Sequence, residues 1–181
     1  NGQVGRIQSK GAKAAEEGIH DAVMREAVIM QMTWPGAPTV YYGDEAGVCG
    51  WTDPDNRRTY PWGHEDKQML QFHKEAIRIH KSSTALRTGS YKMLYTAWGI
   101  LGYGRFDKNE RYAVIVNNTQ ETVNVAVPVW QIGVADGSRM EQQLMSVAES
   151  FTKVPDIYVV TDGYLMVAMP RTSAVILKDI G

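Results

Sequence analysis

Apolar residues recur at three-to-four spacing between residues 12 and 34, where Ile19, Ala22, Val23, Ala27, Met30 and Trp34 mark one face of a helix. Met24, Val28 and Ile29 widen that face, so the helix expects cover on more than one side. Pro35-Gly36 stops it, because proline disfavours helical dihedrals in the residue before it. Pro38-Thr39-Val40-Tyr41-Tyr42 is a short β-branched and aromatic run closed by Gly43, with the size and chemistry of a buried strand. A long loop over 44–63 follows. It contains Pro54 and Pro61, but also Trp51, Tyr60 and Trp62, and so many aromatics are foreign to disordered segments. Residues 64–82 predict a second helix: Glu65 and Asp66 suit its first turn, Met69, Phe72, Ala76 and Ile79 space a buried stripe, and Arg78 and Lys81 suit its end.

After Gly89 the period switches to two. Residues 91–95, 100–106, 111–117, 122–127, 157–160, 164–169 and 174–178 are strand candidates, and so many short strands suggest a sandwich. Asp162-Gly163 is a strong hairpin signal between 157–160 and 164–167, and residues 117–121 form a longer polar turn. Residues 130–155 satisfy neither period cleanly and read as a strand plus loop; residues 1–11 read as an entry loop.

Composition narrows the classes of function. The 181 residues are 44% apolar and 22% charged, enough to bury a core, while 19 Lys and Arg against 20 Asp and Glu give no field to gather nucleic acid or an anionic membrane. The single cysteine, Cys49, closes no intrachain disulfide and has no second thiol for zinc. It reads as a small filler, and the nine Met as core filling. His64, His73 and His80 lie too far apart in sequence to form an adjacent-turn metal pair. No apolar run is long enough to span a bilayer, so the chain reads as soluble, and its start at Asn1 suits a processed or truncated product.

The stretch that carries chemistry is the loop. Asp53 and Arg57 flank a Pro-Asp-Asn turn and can point to one side, where a carboxylate acceptor and a planar guanidinium can together grip vicinal hydroxyls. An aromatic face from Trp51, Tyr60 or Trp62 would cover the C–H face of a sugar ring. The plainer reading is that Asp53 and Arg57 are an ion pair bracing the loop, and spacing alone leaves both open. Asp44 and Glu45 are neighbours whose side chains point to opposite faces if strand alternation continues, which disqualifies them as a catalytic carboxylate pair. His20-Asp21 reads as a solvated pair on the helix surface.

Gly36-Ala37-Pro38 through Tyr41-Tyr42-Gly43-Asp44-Glu45, with Asp53-Pro54-Asp55-Asn56-Arg57 beyond, resembles the eighth strand and following loop of the alpha-amylase family, glycoside hydrolase family thirteen. The Gln31-Met32-Thr33-Trp34-Pro35-Gly36 lead-in and the Asn56-Arg57-Arg58 to Pro61-Trp62 tail are similar to its neopullulanase, cyclomaltodextrinase and maltogenic amylase branch. The resemblance covers residues 12–181 and implies an α+β chain: residues 1–88 as the C-terminal end of a (β/α)8 barrel (seventh helix, eighth strand, loop, eighth helix), and 89–181 as an antiparallel Greek-key β-sandwich, domain C. Met169-Pro170-Arg171-Thr172-Ser173-Ala174-Val175 matches the end of that domain. It also implies that Asp53 and Arg57 bind a glucose residue on the non-reducing side of the cleaved bond, and Trp51 is grouped with them as substrate-binding.

The family reaction is retaining cleavage of α-glucosidic bonds by two carboxylates about 5 to 5.5 Å apart. By the resemblance these follow earlier strands, so this chain is expected to hold no catalytic residue and to be inactive alone. A buried parallel strand without partners supports the same view. The expected partner is an α-glucan oligosaccharide bound by the intact enzyme, with self-association through any surface that truncation exposes. No cofactor is expected in this chain; any calcium site of the parent would lie upstream, and the compartment is left open. The alternative is a stand-alone carbohydrate-binding or structural β-sandwich module, for which residues 12–62 would have no use.

Overall fold

The computed structural model describes residues 11, 15–51 and 53–181; the opening loop expectation, apart from residue 11, and residues 12–14 of the expected first helix fall outside them. Residues 15–20, expected to be helical, form a 3-10 turn and irregular chain ahead of a helix that begins only at Asp21. Helix α1 spans Asp21–Thr33, α2 Lys67–Ser82 and the short α3 Thr84–Thr88. Nine strands follow: β1 Ser90–Ala97, β2 Ile100–Phe106, β3 Arg111–Asn117, β4 Val123–Val127, β5 Arg139–Ser146, β6 Phe151–Thr152, β7 Ile157–Val159, β8 Leu165–Met169 and β9 Ser173–Asp179. Seven form an antiparallel sheet in the order β1-β2-β3-β9-β5-β6, with β7 also on β5, and β4 pairs β8 as a separate ribbon.

Three layers result. β3 and β9 are apolar at nearly every position because both faces of the sheet are covered. Tyr112, Val114, Val116, Ala174 and Ile176 join Ile29, Phe72, Ile79 and Leu86 of the helices in one core. The alternate positions Ala113, Ile115, Val175 and Leu177 meet Val125, Val127, Leu165 and Val167 of the ribbon in a second. The α+β expectation of helices ahead of an antiparallel sandwich therefore holds.

Three local expectations are corrected. Residues 38–41 form no regular element and pair with nothing among the described residues, so the anticipated strand over 38–42 is absent: its β-branched and aromatic content is strand-like, yet a strand needs a neighbouring backbone to bond. The Asp162-Gly163 turn forms, with both residues at positive φ, and is closed by the Thr161–Tyr164 bridge. Its flanking strands then part, β7 to β5 and β8 to β4: β8 sends Leu165, Val167 and Met169 into the second core, whereas β7 packs only Tyr158 against it. A glycine is needed at 163 for a further reason: the Trp130 ring lies 3.0–3.2 Å from where a Cβ would stand.

The third correction is the orientation of α1. Ile19, Val23, Ala27 and Trp34, expected in the core, are exposed; Ala22, Arg25, Glu26, Ile29, Met32 and Thr33 are buried. The helix carries apolar residues on two faces, and the sheet takes the one whose polar members bond across to it. Arg25 Nε donates to Ser146 Oγ at 3.1 Å and its Nη2 to the Val147 and Ala148 carbonyls at 2.9 and 3.1 Å. Thr33 Oγ1 meets Tyr103 Oη at 2.5 Å. Buried Arg105 donates to the carbonyls of Thr33, Gly89 and Ser90, tying the end of α1 to the start of β1. Arg105→Lys keeps the charge but loses the planar fork, and should cost about 1–2 kcal/mol in urea unfolding.

α2 starts at Lys67 rather than 64 because Asp66 is its N-cap, accepting from the backbone N–H groups of Gln68 and Met69 at 2.9 Å. Its expected stripe, Met69, Phe72, Ala76 and Ile79, is buried.

Candidate functional site

The loop between α1 and α2 is built from tight turns. Gly43 and Gly47 adopt positive φ on either side of a single 3-10 turn, Asp44–Ala46. At three residues per turn, the Asp44 and Glu45 side chains lie about 120° apart, not on opposite faces of a strand. Glu45 Oε2 accepts the Gly43 N–H at 3.0 Å, and burial pushes the Asp44 carboxyl above its ordinary range, with His73 opposing. A second 3-10 turn, Asp55–Arg57, packs so closely on Gly50 that a Cβ there would stand 2.7 Å from Asn56 Cα.

Two carboxylate–guanidinium pairs sit on this second turn and differ in environment. Asp55 and Arg58 are largely buried: Arg58 Nη2 donates to both carboxylate oxygens at 3.0 Å and its Nε to Oδ1 at 3.1 Å, while Asp55 Oδ2 also accepts the Trp51 backbone N–H at 3.0 Å. Tyr42 Oη donates to the Arg58 carbonyl at 3.0 Å, and Tyr41 Oη to the Asn56 carbonyl at 3.4 Å. Asp53 and Arg57 face outward, their side chains 66% and 70% exposed, with Arg57 Nε 3.0 Å from Asp53 Oδ1. An exposed i,i+4 pair contributes about 0.3–0.5 kcal/mol, so the bracing resides mainly in Asp55 and Arg58. The sequence reading overlooked that brace, although Asp and Arg three residues apart in one turn were the available signal.

Of the expected site residues, Asp53 and Arg57 are brought together at the surface. Trp51 is half-buried and lines a cavity of about 190 Å³ with Tyr41, Tyr42, Asp44 and Arg58, which neither Asp53 nor Arg57 lines. The most exposed aromatic among the described residues of the loop is Trp62, 80% accessible and tilted against Tyr60 with ring centroids 4.5 Å apart. Cys49 is half-buried, and burial raises its thiol above the usual range, the reverse of an activated nucleophile. Among the described residues no group of three His, Cys, Asp or Glu could hold a metal ion, and no helix is long and apolar enough to cross a membrane.

No protein-family model matches the chain. It is 32% identical over 169 residues to an amylopullulanase of Thermoanaerobacter thermohydrosulfuricus, covering 87% of this chain and 11% of that protein. It is also 32% identical over 120 residues to neopullulanase 2 of Thermoactinomyces vulgaris, covering 64% of this chain and 20% of that one. The fold matches an alpha-amylase from Geobacillus thermoleovorans, solved complexed with acarbose, with a TM-score of 0.77 and 22% identity, over 95% of this chain and 36% of that chain. The chain is thus similar to a part of alpha-amylase-family enzymes. It spans a tenth to a fifth of the length of these curated relatives. The match to the amylopullulanase over 169 residues is long enough to involve both the helical layer and the sheet.

Proposed function

We propose that this chain is the C-terminal part of an alpha-amylase-family glycoside hydrolase acting on α-glucans, with residues 1–88 closing its barrel and 89–181 forming domain C. The loop supplies substrate-binding groups and no catalytic carboxylate: Asp53 and Arg57 grip the hydroxyls of one glucose residue, and Trp51 supports the loop beside them. One observation carries the assignment of the loop. The outward pair, Asp53 and Arg57, has little stabilising work to do while its neighbours Asp55 and Arg58 hold the turn in place. A carboxylate and a guanidinium held 3.0 Å apart at an open surface present an acceptor and several donors to adjacent hydroxyls.

The 181-residue chain is expected to release no reducing sugar from maltoheptaose. Steady release that survives replacement of Asp44 and Glu45 would overturn the assignment of the catalytic carboxylates to other parts of the enzyme. In the longer enzyme, Asp53→Ala should lower kcat/KM on maltooligosaccharides by about 10-fold or more while moving stability by under about 0.5 kcal/mol. The reverse outcome, lost stability with intact kcat/KM, would return the pair to a bracing role. We also expect the isolated chain to self-associate through the open face of α1, seen as size-exclusion elution that shifts with concentration; constant elution would refute it.

A further inference from the structure

The outward stripe of α1 is bordered by two clefts. One, of about 410 Å³, is lined by Ile19, Val23, Met24, Val48 and Met69. The other, of about 400 Å³, lies between α1 and the β1–β2 hairpin, where Val23, Ala27, Met30, Ile100 and Leu101 make its apolar walls. Glu26 borders this second cleft and is 2% exposed, with neither carboxyl oxygen hydrogen-bonded among the described residues. No other residue lining the cleft from α1, β1, β2 or β3, or from the turn after β3, is titratable. A buried carboxyl with no donor is costly, and no positively charged side chain lines the cleft beside it. Apolar walls leading to a carboxylate fit the stem and head of a basic side chain.

Resting on the reading of this chain as part of a longer enzyme, we propose that in the intact protein this cleft is closed by another segment of the same polypeptide, which lays a Lys or Arg side chain against Glu26. The occupant follows from two facts: the charge that the cleft lacks, and the large share of each relative that lies outside the matched stretch. Burial alone accounts for the raised pKa of Glu26 in this chain, with no neighbouring charge contributing.

The test is Glu26→Gln in the 181-residue chain and in the longer protein, with urea midpoints read at pH 8. In the chain the substitution removes an uncompensated charge and should raise the folding equilibrium constant by about 10-fold or more. In the longer protein it strands a buried cation and should lower that constant by a similar factor. The longer protein should also lack the loss of stability between pH 4.5 and 7 that the chain displays. Glu26→Met serves as a second variant with the same expected reversal. A rise or no change in both proteins overturns the pairing, as does a reversal in the chain alone at high concentration, which would assign the cover to a second copy. Hydrolysis by the longer protein is scored separately: activity without the reversal defeats only the pairing, and the reversal without activity defeats only the enzymatic reading.

Discussion

Phe72→Ala should unfold this chain about 3–5 kcal/mol more easily, the largest loss expected of any single truncation considered. Phe72 is fully buried where α2 meets both α1 and the sheet, and its ring packs edge-on to Phe151 of β6 with centroids 5.1 Å apart. Removing it opens a cavity that three separate elements would have to collapse to fill, and helix positions pinned by Arg25 and Arg105 resist that collapse. Part of the loss is the aromatic pair itself, about 0.5–1.5 kcal/mol. Phe72→Leu conserves most of the volume and should cost under about 1.5 kcal/mol. Urea unfolding followed by far-ultraviolet circular dichroism gives both values. A single shifted transition is expected because helices and sheet share one core. If the helices melt first and leave the sheet transition unmoved, the two layers fold independently.

Stability of the isolated chain should fall as pH rises from about 4.5 to 7, and Glu26 is the cause. Its carboxyl is pushed up from 4.5 to about 7 by burial. Below pH 4.5 it is protonated in both folded and unfolded chains and its contribution is fully present. Between 4.5 and 7 the unfolded chain releases the proton while the folded chain retains it, so rising pH favours unfolding; above 7 both are ionised and the loss is complete. At about 1.4 kcal/mol per pH unit, the whole window is worth about 3 kcal/mol. Glu75, held below its ordinary range by Lys153 and Arg78, adds the opposite slope at more acid pH. Comparing Glu26→Gln with the unsubstituted chain cancels that slope, and the difference should grow with pH and level off above 7. A difference independent of pH would mean that the Glu26 carboxyl binds its proton equally well in the folded and unfolded chains.

Much of this architecture is legible along the chain because period and punctuation are local properties. β2 and β3 lie where the strand pattern places them, and the stripe of α2 is buried as its spacing implies. Even the two-sided covering of β3 and β9 is written in their unbroken apolar runs. In the loop, the Asp53–Arg57 pairing could be read from its spacing, and the string that contains it also contained the overlooked Asp55–Arg58 brace.

Other outcomes depend on which surfaces meet. Residues 38–41 have the composition of a strand but no pairing partner among the described residues, and the Asp162-Gly163 turn joins strands that leave for different sheets. Two apolar faces of α1 compete in the sequence, and periodicity cannot choose between them. Long-range bonds do choose: Arg25 reaches a serine 121 positions away and Arg105 reaches a carbonyl 72 positions away. A chain thus states locally whether it can turn, coil or extend, and which of its side chains dislike water. Which of those side chains find a partner is settled by groups far off in sequence. Asp53 remains at the surface while Glu26 is buried with no donor among the described residues, because that choice is made only when the layers close.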